Sequence, residues 1–191
     1  MKKFLSCSIV ALAFVLMSSF VFADGCPELR GTWVGTVKMI AKDGTVKENK
    51  AVFVIRKQDG NLFTGEKAWF AANKENLITE GFSGIVGVDG VSLYFAEHED
   101  GYTFGSLTGK ESMSLYYLEN GRKAKVIYYN MKRVHFARAF VDIDKDGSKT
   151  IIRSEIVKVY PMNVERIMRE ADANKDGKLS KDEWEEWKKN Q

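Results

Sequence analysis

Near the end of the chain, Asp172, Asn174, Asp176 and Glu183 stand at positions one, three, five and twelve of a single short stretch. Oxygen-bearing side chains at alternate positions, closed by a carboxylate, are what a hard divalent cation requires. Calcium takes about six to eight oxygen ligands at roughly 2.3–2.6 Å, and a short loop supplies them by turning alternate residues inward and closing with a bidentate carboxylate. Gly177 occupies the position where the backbone must turn sharply at positive φ. Lys178 would offer its carbonyl, Ser180 a hydroxyl or a water-mediated contact, and Glu183 both carboxylate oxygens. A surface turn rich in Asp, Asn and Gly would account for the polar residues, but not for the apolar Leu179 or for Glu183. The spacing therefore predicts Ca²⁺ as the cofactor and calcium ions as the partner.

A second stretch of the same kind lies upstream, and it can be read in two registers. Opening at Asp142 puts Gly147 at the sharp turn, but Arg153 then falls at the closing position, where a cation repels the metal. Opening at Asp144 gives Asp144, Asp146, Ser148, the Thr150 carbonyl and Glu155 as ligands and Ile151 as the apolar anchor, at the expense of Lys149 in place of the turn glycine. A side chain in the left-handed region costs about 1–2 kcal/mol, so this loop is expected to bind more weakly or to keep its shape without metal.

Both stretches resemble the EF-hand family. The resemblance implies two helix-loop-helix units side by side, with Ile151 and Leu179 aligned as a short antiparallel ladder between the loops. Pro161 ends the first outgoing helix and the next helix follows almost at once, leaving little linker for large opening motions. Ile156, Val159, Tyr160, Val164, Ile167, Met168, Trp184 and Trp187 recur at three-to-four spacing. They describe the shared core of the pair, with a target-binding groove as the alternative.

The first residues are an address. Lys2 and Lys3 precede an apolar run from Ile9 to Val15, and Val21-Phe22-Ala23 stands just before Asp24. The run is shorter than a membrane span and ends in small residues, which predicts a secretory signal over 1–23 and an exported, periplasmic or secreted product. Cys26 is then the only thiol left, and a lipid anchor on it is the alternative to soluble export.

Between Leu29 and Val134 the chain is punctuated by Asp43-Gly44, Asp59-Gly60, Asp89-Gly90, Asp100-Gly101 and Asn120-Gly121. Such dipeptides supply the positive φ of tight antiparallel turns. The runs between them predict eight strands at 30–40, 46–57, 62–70, 77–87, 91–98, 102–109, 112–119 and 123–133. Eight antiparallel strands with short turns close into an up-and-down β-barrel, with a β-sandwich as the alternative. Leu29-Arg30-Gly31-Thr32-Trp33-Val34-Gly35 and Asn61-Leu62-Phe63-Thr64-Gly65 resemble the first and third strands of avidin-like and lipocalin-like barrels. Trp33, Trp69, Phe70, Phe82, Tyr94, Phe104, Tyr116 and Tyr128 are expected either to line a pocket or to pack as core or as cross-strand pairs.

The expected organisation is α+β: a signal peptide at 1–23, a β-barrel domain at 24–134 and an EF-hand pair at 135–191. Without Lys2 and Lys3 the chain carries 27 basic residues against 26 acidic ones. That balance, with no basic stripe, argues against nucleic acid as a partner. His98 and His135 have no metal-site companion in sequence, Ser83 lacks a nucleophile-elbow pattern, and catalytic residues are expected to be none. The function expected is calcium binding by an exported two-module protein, its EF-hand pair serving as structural staple or envelope calcium sensor, with an unknown protein partner possible. A small-molecule carrier barrel stabilised by calcium is the alternative.

Overall fold

The computed structural model describes residues 26–70 and 77–191. The expected signal segment 1–23 and the processing site before Asp24 lie outside the described residues.

Eight strands, β1 (Gly31–Ala41), β2 (Val46–Asp59), β3 (Leu62–Phe70), β4 (Leu77–Val86), β5 (Ser92–Glu97), β6 (Tyr102–Gly109), β7 (Ser112–Glu119) and β8 (Lys125–Val134), pair antiparallel in sequence order. β8 returns to β1, Val34 opposite Lys132 and Val37 opposite Tyr129, so the sheet closes into a barrel and leaves no unpaired edge. The sandwich alternative is thereby set aside. All five Asp-Gly or Asn-Gly glycines have positive φ, from 56° at Gly60 to 84° at Gly101, as hairpin turns demand. Closure also needs sharp curvature. A Cβ at Gly35 would come within 2.0 Å of the Asn130 carbonyl oxygen, and one at Gly105 within 2.0 Å of the Ser114 carbonyl oxygen, so these strands approach as only glycine permits.

Alternation puts Leu93 and Phe95 of β5 and Met113, Leu115 and Tyr117 of β7 inside. Phe53, Phe63, Phe82 and Phe95 pack edge-on or tilted with ring centroids 5.0–6.4 Å apart. Trp33 plugs this end, its indole N–H donating to the Leu29 carbonyl at 3.0 Å and its ring lying 4.3 Å beneath the Arg133 guanidinium. Among the described residues the opposite end holds a cavity of about 650 Å³.

The eight aromatics proposed for a pocket divide. Trp33 and Phe82 are buried inside, and Trp69 and Phe70 border the cavity. Tyr94 (52% exposed), Phe104, Tyr116 and Tyr128 do not line it. Tyr94 sits opposite Phe104, Phe104 opposite Tyr116 and Tyr116 opposite Tyr128, forming one outward row across four strands. A strand shows only every second residue to its interior, and the inward residues next to Tyr94 and Phe104 are Leu93, Phe95 and Thr103.

Four helices follow: α1 (Phe140–Ile143), α2 (Arg153–Val159), α3 (Val164–Ala171) and α4 (Lys181–Lys189). None of the helices among the described residues is long and apolar enough to cross a membrane. Their inner faces form a second core around Ile156, Ile167, Met168, Trp184 and Trp187, as the periodicity indicates. Phe136, from the segment leaving β8, packs into it with its ring 4.7 Å from that of Trp187 and 5.0 Å from that of Tyr160. The apolar face of the helix pair is thus covered by this chain's own residue. Arg166 of α3 ties the helices to the barrel. Its side chain is buried, donates to the Thr32 hydroxyl of β1 and to Gln191, and lies 3.1 Å from the Glu170 carboxylate, which also meets Arg56 of β2 at 2.8 Å.

Candidate metal centre

Two loops, Asp144–Glu155 and Asp172–Glu183, have the same internal hydrogen bonds. In the second, Asp172 accepts from the Asp176 amide at 3.1 Å and, through its other oxygen, from the Gly177 amide at 2.9 Å, while Asn174 Oδ1 accepts from Asp176 at 2.8 Å. In the first, Asp144 accepts from Ser148 at 3.1 Å and from Lys149 at 3.0 Å, and Asp146 accepts from Ser148 at 2.9 Å. Asp and Asn oxygens at positions one and three are thereby turned toward the inside of each loop, and position five is Ser148 in the first and Asp176 in the second.

The closing glutamates are tied in parallel fashion. Glu183 accepts from the Ala173 amide at 3.1 Å with one oxygen and from the Ser180 amide at 2.8 Å with the other. Glu155 accepts from Lys145 at 2.7 Å and from Ile152 at 3.1 Å. Each glutamate lies in the first turn of a helix, α2 or α4, and reaches back across its loop. For α4 this is also a capping box, since the Ser180 hydroxyl accepts from the Glu183 amide.

The first loop therefore adopts the register that opens at Asp144. Asp142 lies outside it, exposed on α1, and Arg153 turns away to pair with Glu165. One carboxylate oxygen from each of Asp144, Asp146 and Glu155 lies within 4.8 Å of the others. Oxygens bound to one calcium at 2.3–2.6 Å can be no more than about 5 Å apart, so the spread fits a single ion. Ser148 donates to the Thr150 carbonyl at 3.0 Å, bringing those two predicted ligands together. Lys178 donates its amide to Asp176 at 2.9 Å, leaving its carbonyl for another partner.

Lys149 stands at φ 64°, the left-handed region its position demands. The second loop, however, has its own lysine in that region, Lys175 at φ 61°. Each loop needs positive φ at positions four and six. The first supplies Gly147 and Lys149, the second Lys175 and Gly177, with φ of 70° and 82° at the glycines. The contrast drawn from Lys149 alone is therefore too sharp, because the sequence offers no signal that position four is also left-handed until the loop is folded.

Ile151 and Leu179, both fully buried, exchange N–H···O bonds of 2.8 Å in each direction. This bridge holds the loops together as expected. The charge state suits a cation. The Ser180 backbone N–H holds the Glu183 carboxyl below the usual carboxylate range, and the Ser148 hydroxyl does the same for Asp146.

The fold also brings together a pair that sequence spacing did not suggest: Ser83 Oγ lies 3.1 Å from His98 Nε2. It sits exposed, and no ion pair to His98 is found among the described residues. Ser83 lies on β4 and His98 directly follows β5, so only register could have revealed them.

Residues 164–186, which contain α3, the whole second loop and most of α4, match the family model described as EF hand. The chain is 32% identical over 72 residues to "Calcium-binding protein SPEC 1A" of Strongylocentrotus purpuratus, an alignment covering 34% of this chain. The chain spans about half of that relative's length, 47%. Among solved structures, a redesigned β-barrel is similar at a TM-score of 0.42 and 10% identity, over 56% of this chain and 91% of that one. A second redesigned β-barrel, bound to DFHBI, is similar at a TM-score of 0.39 and 14% identity, over 55% of this chain and 98% of that one.

Proposed function

We propose that this is an exported calcium-binding protein in which both loops hold one ion each and the metal fastens the helical pair. The observation that carries the reading is the repeated hydrogen-bond scheme of the two loops, which turns side-chain oxygens inward at positions one and three and ties the closing glutamate across the loop in each. The EF-hand match over 164–186 and the calcium-binding relative support it.

In the second loop Asp172, Asn174 and Asp176 would supply side-chain oxygens, Lys178 its carbonyl and Glu183 both carboxylate oxygens. In the first the corresponding set is Asp144, Asp146, Ser148, the Thr150 carbonyl and Glu155. When bound, calcium would neutralise the crowded carboxylates and hold each closing glutamate against its loop. Because Ile151 and Leu179 join the loops, ordering one favours the other. Phe136 already covers the apolar face, which favours a structural staple over a sensor that exposes a groove. The lysine-led apolar segment at the N-terminus supports export, where calcium is plentiful and modules of this kind bind with dissociation constants on the order of 10⁻⁴–10⁻³ M.

The test is calcium titration followed by tryptophan fluorescence. Trp184 follows Glu183 directly and stacks on Trp187 with centroids 5.4 Å apart, so closure of the loop alters the surroundings of both indoles. A saturable change that Glu183→Gln weakens is expected. An identical response in the variant, or none in the native protein, would refute the assignment.

A further inference from the structure

The barrel is packed with aromatic rings at the Trp33 end and, among the described residues, open at the other, and the open end is chemically selective. Its cavity, about 650 Å³, falls within the roughly 300–1,000 Å³ of small-molecule sites. Small inward residues make the room: Val37 and Ala51 line the wall where the opposite end carries Trp33 and Phe53. Trp69, Phe70 and Tyr117 add flat apolar surface.

Two lysines fix the chemistry. Lys67 is a charged residue inside a barrel, its side chain only 4% exposed, with Nζ 4.6 Å from the centre of the Tyr117 ring and 5.4 Å from that of Trp69. Lys125 stands 5.5 Å from the same Tyr117 ring. The carboxylates that compensate them, Glu80 and Glu97 for Lys67 and Glu119 for Lys125, are buried and do not line the cavity. They are held in place behind the lysines: Glu97 accepts from the Thr103 hydroxyl at 2.5 Å, and Glu119 accepts from the Tyr117 hydroxyl at 2.9 Å. Lys47 and Glu48 complete the charged lining, Glu48 at the exposed rim and already paired with Lys38 at 3.1 Å, so a molecule entering the barrel meets aromatic walls, three ammonium groups and one engaged carboxylate.

We propose that this end of the barrel is a binding site for a small amphiphilic monoanion, a flat or alkyl body lodged against Trp69 and Tyr117 with its acidic group at Lys67 and Lys125. The cation–π placement keeps both ammonium groups oriented before a ligand arrives, so little ordering is needed on binding. The site is separate from the calcium loops and stands or falls independently of them.

The test uses two fluorescent probes on the full chain, the anionic 1-anilinonaphthalene-8-sulfonate and the neutral N-phenyl-1-naphthylamine. One anionic probe per chain is expected to bind, with energy transfer from tryptophan, and the neutral probe should bind at least tenfold more weakly. Ala51→Phe fills the cavity and should abolish binding while leaving the calcium response intact. Lys125→Gln, at the partly exposed rim, should weaken the anionic probe about tenfold, the worth of one charge-assisted hydrogen bond, without affecting the neutral one. Equal affinity for the two probes, or an unchanged affinity in Lys125→Gln, would overturn the proposal. So would a folded Ala51→Phe protein that still binds, or binding removed instead by Tyr116→Ser on the outer aromatic row.

Discussion

Exchanging the residue at the left-handed positions of the calcium loops gives a prediction with a definite sign. Lys149 has φ 64° and Gly177, at the same position of the other loop, has φ 82°. A side chain in that region costs about 1–2 kcal/mol, and glycine gives back roughly 0.5–1 kcal/mol through the greater freedom of its unfolded chain. Lys149→Gly should therefore stabilise by about 0.5–1 kcal/mol, the difference between the two effects. Gly177→Ala should destabilise by a similar amount, and for a purely conformational reason, since a Cβ there would meet nothing within 4 Å. For a chain of this size such changes move the melting temperature by roughly 1–4 °C in opposite directions. The assay is thermal unfolding by circular dichroism, in chelator and in excess calcium. The left-handed geometry is present in the metal-free loops, so both shifts should persist in chelator. A Lys149→Gly protein that melts at or below the native temperature in both buffers would refute the argument from backbone strain.

Two further outcomes follow from charges buried by the fold. Arg166→Met removes the guanidinium that joins β1, Gln191 and Glu170 and should cost about 3 kcal/mol, the scale for breaking a buried ion pair, read as a lower urea midpoint; an unchanged midpoint would mean that the helices do not lean on the barrel through this residue. Burial pushes the Glu97 carboxyl up, against the opposing pull of Lys67. Below the ordinary value of 4.5 both folded and unfolded states hold the proton; as pH rises from there through the folded value, the unfolded chain releases it first, so stability falls. Glu97→Gln should abolish that part of the decline, measured as the difference in melting temperature between the two proteins across pH 4–8. Stability that instead rises with pH relative to the variant would show the Lys67 attraction to dominate.

The barrel was legible because its turns announce themselves. Asp-Gly and Asn-Gly favour the positive φ of tight turns and mark five of the seven strand connections, leaving only a residue or two of doubt at each strand end. The register of the two acidic loops was legible for a related reason, since each position of such a loop restricts residue type. What a linear reading could not supply was the face each residue takes. Tyr94 and Phe104 are as apolar as Phe95 and Phe82, and only register places the first two outside. Lys67 has the composition of a surface residue, yet two carboxylates from β4 and β5 accompany it indoors. Lys175 looks like an ordinary exposed lysine until the loop closes around it. The tie from Arg166 to Thr32 joins residues more than a hundred positions apart, and hydrophobic periodicity encodes no such pairing.

The central claim is that acidic oxygens in two loops each enclose one calcium ion. Calorimetric titration of the full chain with Ca²⁺ tests it most directly: the account predicts two ions bound per chain, reduced to one in Glu183→Gln. A chain that takes up no calcium at millimolar concentration, or a variant that still binds two ions with native affinity, would contradict it.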